Sequence, residues 1–427
     1  MRLKLATRWA LLLCAAASSL ALPAPELTST KALAVRASTD LAKRALEDYF
    51  WVKPGKMDQG GCFDAVGSGD TTTFKDKLDK ARDEALTIAD GAVDALKMLL
   101  EDKPKEDDSA SKDEYNKAMK WRKAQKSIFD LFAIEVDERE KPTGDVKNKI
   151  DSMIKDLEAF TETRNQDPPA ELKKKPRIYC GDQGFSWVEP NAESPLKSKK
   201  KAGNASHRHQ ITHLADLISG PDGAWYARGA ADKDKTKSIP AKLMDVKPGG
   251  SRDSFCKPEL KHTAVTLESD NIMVFCDQGL KYTTTQEEQK GSIKEGTELT
   301  SVRSLSRTFL HESLHLESQL SDPPIVTFKK GAENPEYEDD GKTVKRGGES
   351  GKKLVYGYLA SYNLARYVPS VGGGDESDGE DVTMGDGNYD GPANTVECFV
   401  FFAMSMFHDQ WAWVENKGKA VPMPYRT

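Results

Sequence analysis

The segment Arg307-Thr-Phe-Leu-His311-Glu312-Ser-Leu-His315-Leu-Glu317 constrains this chain more than any other stretch. It carries His-Glu-x-x-His inside a helical apolar stripe of Val302, Leu305, Phe309, Leu310, Leu314 and Leu320. On a helix, residues i and i+4 share a face, so His311 and His315 aim two imidazoles at one point. Glu312 stands beside that point. Thr300 and Ser301 offer N-caps, and Pro323-Pro324 stops the pattern. Two neutral imidazoles plus one more ligand leave a position open for water, which suits a single catalytic Zn²⁺. Such an ion acidifies its water and polarises a carbonyl, and Glu312 is the expected general base. The competing reading is two surface histidines on an amphipathic helix. The pair abuts an apolar run rather than a charged face, which favours the metal.

Arg2, Lys4 and Arg8 precede an apolar run from Trp9 to Leu20, and Ser19-Leu20-Ala21 offers a small-x-small cleavage site. Residues 1–21 therefore read as a secretory signal peptide. The run is too short to span a bilayer, and no later apolar stretch is long enough. Cys14 leaves with the signal, so Cys62, Cys180, Cys256, Cys276 and Cys398 remain, enough for two disulfides and one free thiol. Cys398 lies in an apolar helical run and is the expected buried thiol. Asn204-Ala205-Ser206 is a glycosylation sequon, in keeping with an extracellular chain. Lys43-Arg44 reads either as a dibasic processing site or as two exposed charges on a helix capped by Asp40.

Charged residues make up 30% of the chain and the formal net charge is −6, which does not suggest a nucleic-acid partner. The basic run 197–201, followed by His207, His209 and His213, is a candidate polyanion or metal patch, but its Ser, Gly and Pro flanks read better as a solvated insertion. Apolar periodicity predicts helices over 74–100, 111–136 and 146–160. Short strands are expected at Arg177–Cys180, over 263–267 and over 271–276. Within the last of these, Ile272 to Cys276 is the candidate for holding an extended substrate beside the His-Glu-x-x-His helix, with a plain core strand as the equal alternative. The resulting fold class is α+β, mostly α. A short segment 22–56 precedes one unit over 57–427, with a helical part at 57–165, a sheet and His-Glu-x-x-His part at 170–427, and insertions at about 188–260 and 372–391.

The loop from Asp322 to Val355 carries Glu336, Glu338, Asp339, Asp340 and Glu349, and Tyr356-Gly357 opens another helix. His311-Glu-x-x-His315, Tyr356-Gly357, Leu364-Ala365 and Glu397-x-x-x-x-Phe402-Ala403-Met404, in that order, resemble the deuterolysin and lysine-specific metallo-endopeptidase family, secreted aspzincins. Gly61-Cys62 resembles the start of their catalytic domain. The resemblance implies a zincin-like fold and a zinc endopeptidase. It pairs Cys256 with Cys276 and Cys62 with Cys180, and it gives Tyr356 the stabilisation of the oxyanion. In that family the third ligand is an Asp three residues before the Tyr-Gly, where this chain has Lys353. Either the loop has slid and Glu349, Asp339 or Asp340 ligates, with Glu349 nearest to Tyr356, or the site binds metal poorly. The family's lysine preference rests on acidic residues at the start of the last helix. Glu397 falls at the first of these, and Val400 replaces the second.

Glu397 also closes Asp386-Gly-Asn388-Tyr-Asp390-Gly391-x5-Glu, a spacing that fits a Ca²⁺ loop, although no entering helix precedes it. The expected protein is a secreted, monomeric zinc endopeptidase acting on protein or peptide substrates, with no membrane partner. The alternative is a catalytically inactive zincin-like binding protein, supported by Lys353.

Overall fold

In the computed structural model the described residues are 45–167, 169–188, 193–197, 208–210, 224–229, 239–244, 256, 261–347, 353–368 and 391–426. The expected signal peptide, Lys43-Arg44, the sequon and Glu349 lie outside them. So do most of the basic run and the proposed calcium residues 386, 388 and 390.

Eight α-helices are described: α1 (Leu46–Tyr49), α2 (Phe74–Leu99), α3 (Lys112–Phe132), α4 (Gly144–Thr161), α5 (Asp277–Leu280), α6 (Leu305–Ser318), α7 (Tyr358–Tyr367) and α8 (Val396–Phe407). The long helix α2 is the hub, packing on α4, α6 and α8. Its start is fixed by Thr73 and Asp76, which cap each other's backbone N–H groups. Its buried stripe alternates Leu78, Leu96 and Leu99 with Ala81, Ala85 and Ala92, and the small side chains let neighbouring helices approach closely. Phe50, beside α1, packs edge-on against Phe309 of α6, and Phe275 stacks on the same ring. These aromatics wedge the metal helix between α2 and the sheet.

That sheet has the order β1 (Trp51–Val52), β2 (Arg177–Cys180), β9 (Ile272–Phe275), β8 (Ala264–Leu267). The first three run parallel, and β8 runs antiparallel at one edge. Of the two readings for Ile272 to Cys276, a substrate-holding strand and a plain core strand, the second holds. β9 is paired on both sides and every residue in it is buried, so its backbone groups are already used. Among the described residues β8 is paired on one side only, as β1 is, and it packs on α6.

The region 188–260 is not a bare insertion. β3 (Phe185–Val188), β6 (Ala224–Ala227) and β7 (Lys242–Met244) form a second antiparallel sheet, and β4 (Glu193–Lys197) pairs with β5 (Arg208–Gln210). A separate small core of Trp51, Tyr179, Phe185, Trp225 and Ile272 lies under the three-stranded sheet. Near the C-terminus β10 (Trp411–Ala412) pairs with β11 (Val421–Pro422).

Disulfides join Cys62 to Cys180 and Cys256 to Cys276, and Cys398 is buried and free, all as expected. They span 118 and 20 residues. In the chain-entropy account such loops are worth about 5 and about 3 kcal/mol. Two disulfides fit an oxidising compartment. Among the described residues no helix is long and apolar enough to cross a membrane.

Candidate metal centre

Helix α6 begins later than the sequence suggested. Ser304, not Thr300 or Ser301, is its N-cap, with its side chain accepting from the Arg307 N–H at 3.1 Å. Thr300 and Ser301 belong to a preceding 3₁₀ turn. The helix ends at Gln319, whose left-handed φ of 55° turns the chain back across its own last turn. The consequence is a hydrogen bond from His315 Nδ1 to the Leu320 carbonyl at 2.6 Å. His311 Nδ1 meets Glu397 Oε2 at 3.2 Å. A carbonyl and a carboxylate only accept, so both imidazoles carry their proton on Nδ1. Both Nε2 lone pairs then face inward, 3.2 Å apart.

Asp322 completes the convergence. Its Oδ2 lies 3.3 Å from His315 Nε2 and 3.4 Å from His311 Nε2. Three ligand atoms converging on one point form a group that could hold a metal ion. A tetrahedral zinc with donors at about 2.0–2.2 Å has donor–donor edges of about 3.3–3.6 Å, close to this triangle. The second carboxylate oxygen, Oδ1, is buried without a hydrogen-bond partner and could add to such an ion. Charge points the same way. Glu268, Glu312, Asp322 and Glu397 are four carboxylates around the two imidazoles and one guanidinium, Arg307, an excess of negative charge that a cation offsets.

The titration behaviour of the cluster reflects that excess. Burial alone would lower the pKa of His315, but the carboxylates of Asp322 and Glu268 outweigh it and hold it up at about 9. His311 is raised for the same reason by Asp322 and Glu397. Burial would raise the Asp322 carboxyl, yet the two imidazoles hold it well below the usual carboxylate range.

Around the triangle stand the remaining expected residues. Glu312 is buried, and its Oε2 accepts from Thr266 Oγ1 of β8 at 2.7 Å. The Tyr356 ring is exposed, while its hydroxyl end reaches in and donates to Asp322 Oδ2 at 2.8 Å. Desolvation of that end and the Asp322 charge push its pKa far up, so it serves as a donor. Glu397 is buried and holds Arg307 Nη2 at 2.7 Å, the Gly357 N–H at 3.2 Å and His311.

Two expectations are corrected here. The residue brought to the imidazoles is Asp322, not Asp339 or Asp340, which are exposed; Asp340 caps its own turn by accepting from the Lys342 and Thr343 N–H groups. Glu349 lies outside the described residues. Glu397 neither faces a substrate pocket nor sits open to calcium, because its two oxygens are buried and committed to three donors. His311, His315 and Asp322 form the one such group found among the described residues.

The distance in sequence between Asp322 and Tyr356 is bridged by a nested hairpin. Bridges Pro324↔Leu354, Val326↔Arg346, Phe328↔Pro335 and Tyr337↔Val344 zip the described residues between 324 and 354 onto one another. Val355 N donates to the Pro323 carbonyl at 2.8 Å, so the hairpin leaves the chain where it entered. The signal that could have found Asp322 is its place as the first carboxylate after the helix, pinned before Pro323-Pro324. The chain matches no family model, no curated protein and no solved structure.

Proposed function

We propose that this protein is a secreted zinc-dependent endopeptidase of the aspzincin type. The observation that carries the reading is the convergence of His311 Nε2, His315 Nε2 and Asp322 Oδ2 within 3.4 Å of one another, with Glu312 and Tyr356 beside them. Zinc, when bound there, supplies a Lewis acid that acidifies a water and polarises a carbonyl. Glu312 takes the proton of the attacking water and returns it to the leaving amine. Thr266 fixes the Glu312 carboxylate from the side of the sheet edge. Tyr356, kept protonated, donates a hydrogen bond to the developing oxyanion in place of its bond to Asp322. The outer edge of β8, unpaired among the described residues, offers backbone groups along which an extended peptide adds as a strand.

The hairpin supports the family resemblance. Removing residues 324–354 leaves Asp322-Pro323-Val355-Tyr356-Gly357, an Asp three residues before a Tyr-Gly. Lys353 is then part of the hairpin base, where its carbonyl accepts from Ile325 N, and not a replaced ligand. The main support for an inactive binding protein falls with it.

The test is direct. The purified mature protein is expected to hold one zinc per chain, to cleave an unfolded protein, to stop after chelation and to resume on adding zinc. A protein that stays metal-free after zinc dialysis at about pH 7–8 ends the proposal.

A further inference from the structure

Glu397 and Arg307 lie outside the triangle, yet the site is closed through them. Arg307 stands one helical turn before His311 on the same face of α6. Its Nη2 meets Glu397 Oε1 at 2.7 Å, its Nη1 donates to the Thr300 carbonyl at 3.2 Å, and its guanidinium lies 4.6 Å above the Phe401 ring. The side chains of Arg307 and Glu397 are 13% and 4% exposed, so this is a pair with little water to replace it.

The carboxylate has two further tasks. Oε2 takes His311 Nδ1, and Oε1 takes the N–H of Gly357. Gly357 sits at φ 108°, a conformation an L side chain rarely adopts, and an added Cβ would lie 3.3 Å from Thr300. That turn aims Tyr356 at Asp322. A circuit results: His311, Glu397, Gly357, Tyr356 and Asp322, returning to His311 through the triangle.

We infer that Glu397, held by Arg307, is a positioning residue that sets one metal ligand and the oxyanion donor together, fixing the Nδ1–H form of His311 and the Tyr356-Gly357 turn with one carboxylate. This rests on the zinc peptidase reading, and it excludes Glu397 from substrate recognition. Outer partners of metal-bound histidines commonly shift affinity by a factor of about 10–100. Glu397 should do so while also acting on turnover through Tyr356.

The experiment compares wild type with Glu397→Gln. Zinc affinity is measured by competition with a chromophoric chelator on protein whose folding is checked by circular dichroism. Kinetics are measured on zinc-saturated protein. The variant is expected to bind zinc about 10–100-fold more weakly and, once saturated, to lose kcat with little change in KM. A variant that melts earlier but binds zinc with wild-type affinity overturns the inference and leaves the peptidase reading intact. A wild type that binds no zinc overturns both. Nitrogen NMR of histidine-labelled, zinc-loaded wild type gives an independent reading should Glu397→Gln fail to fold. His311 is expected to carry a proton on Nδ1 and to coordinate through Nε2. Coordination through Nδ1 would overturn the inference.

Discussion

The two ends of α8 bury charge in opposite ways. At the N-terminal end, Glu397 joins Asp322, Glu312 and Arg307 around two imidazoles whose lone pairs converge. That corner has an excess of acceptors, and a cation relieves it. At the C-terminal end, Lys123 of α3 is 5% exposed and donates to the His408 carbonyl at 2.9 Å, and the charge of Asp409 offsets its burial only in part. His408 itself donates through Nε2 to Gln286 Oε1 at 3.0 Å, and its Nδ1 has no partner. This corner has an excess of positive character, and losing a proton relieves it. Burial pulls the Lys123 pKa down to about 7 and, with Lys123 nearby, the His408 pKa down to about 3. Buried polar groups are costly only when donors and acceptors do not balance. The sign of the imbalance says whether a site calls for a metal or for neutralisation.

The largest effect is expected at the acceptor-rich end. Glu312→Gln keeps the shape and the hydrogen bond to Thr266 but cannot take a proton from water. Loss of general-base help typically costs a factor of about 10²–10⁴ in rate. Activity on an unfolded protein should fall by that amount while zinc content stays at wild-type level. Retained activity would show that the carboxylate beside the imidazoles is not the base. Next in size, Asp322→Asn should weaken zinc binding by more than the factor of about 10–100 typical of an outer partner. Lys353→Asp should leave affinity unchanged, because Lys353 belongs to the hairpin base. Zinc titration of both variants decides between the two positions. A gain from Lys353→Asp would restore the slid-loop reading.

What could be read in the sequence was local. The metal helix, Arg177–Cys180 and the free Cys398 follow from periodicity and apolar runs a few residues long. Asp322 could not be counted from Tyr356, because the contact between Pro323 and Val355 closes off the intervening residues 324–354. Strand order was equally hidden, although a clue was present. Ile272-Met-Val-Phe275 is an unbroken apolar run, as an interior strand requires, whereas Ala264-Val-Thr-Leu267 carries a polar residue toward Glu312, as an edge beside a site allows. The role of Glu397 had a quieter signal: Arg307, a charge one turn before His311 on the same face of the helix.

The donor-rich end gives the third effect, one of stability. Lys123 in the folded protein titrates near pH 7 against an ordinary 10.5. Between those values the unfolded chain holds a proton that the folded chain lacks, so stability rises with pH across this window. Below about pH 7 both states are protonated and the whole penalty is present. At about 1.36 kcal/mol per unit the penalty is at most 4–5 kcal/mol. Lys123→Met removes it but strands the His408 carbonyl, which costs about 1–2 kcal/mol. The variant should therefore be about 1–3 kcal/mol more stable than wild type at pH 6–7, and no more stable above about pH 10.5. Denaturant unfolding at both pH values reads the difference. A variant less stable at pH 6 would mean that the ammonium is better solvated than its burial allows.

Only a small effect on the metal corner is expected from the largest change in the chain. Deleting residues 324–354 and joining Pro323 to Val355 through two glycines removes the nested hairpin. The two joined residues already share a 2.8 Å hydrogen bond, so the new link spans a gap the fold has closed. Asp322 and Tyr356 keep their neighbours, because His315, His311 and Glu397 are held by α6 and α8 rather than by the hairpin. Stability should fall, since Val326 is buried in the main core and Phe328 packs against it. Losing a buried side chain of that size costs about 2–3 kcal/mol. Zinc affinity of the folded protein should stay within a factor of about three, under 1 kcal/mol. A drop as large as that of Asp322→Asn would mean that the hairpin itself holds the third ligand in place, and the acceptor-rich corner would then extend beyond the residues that now define it.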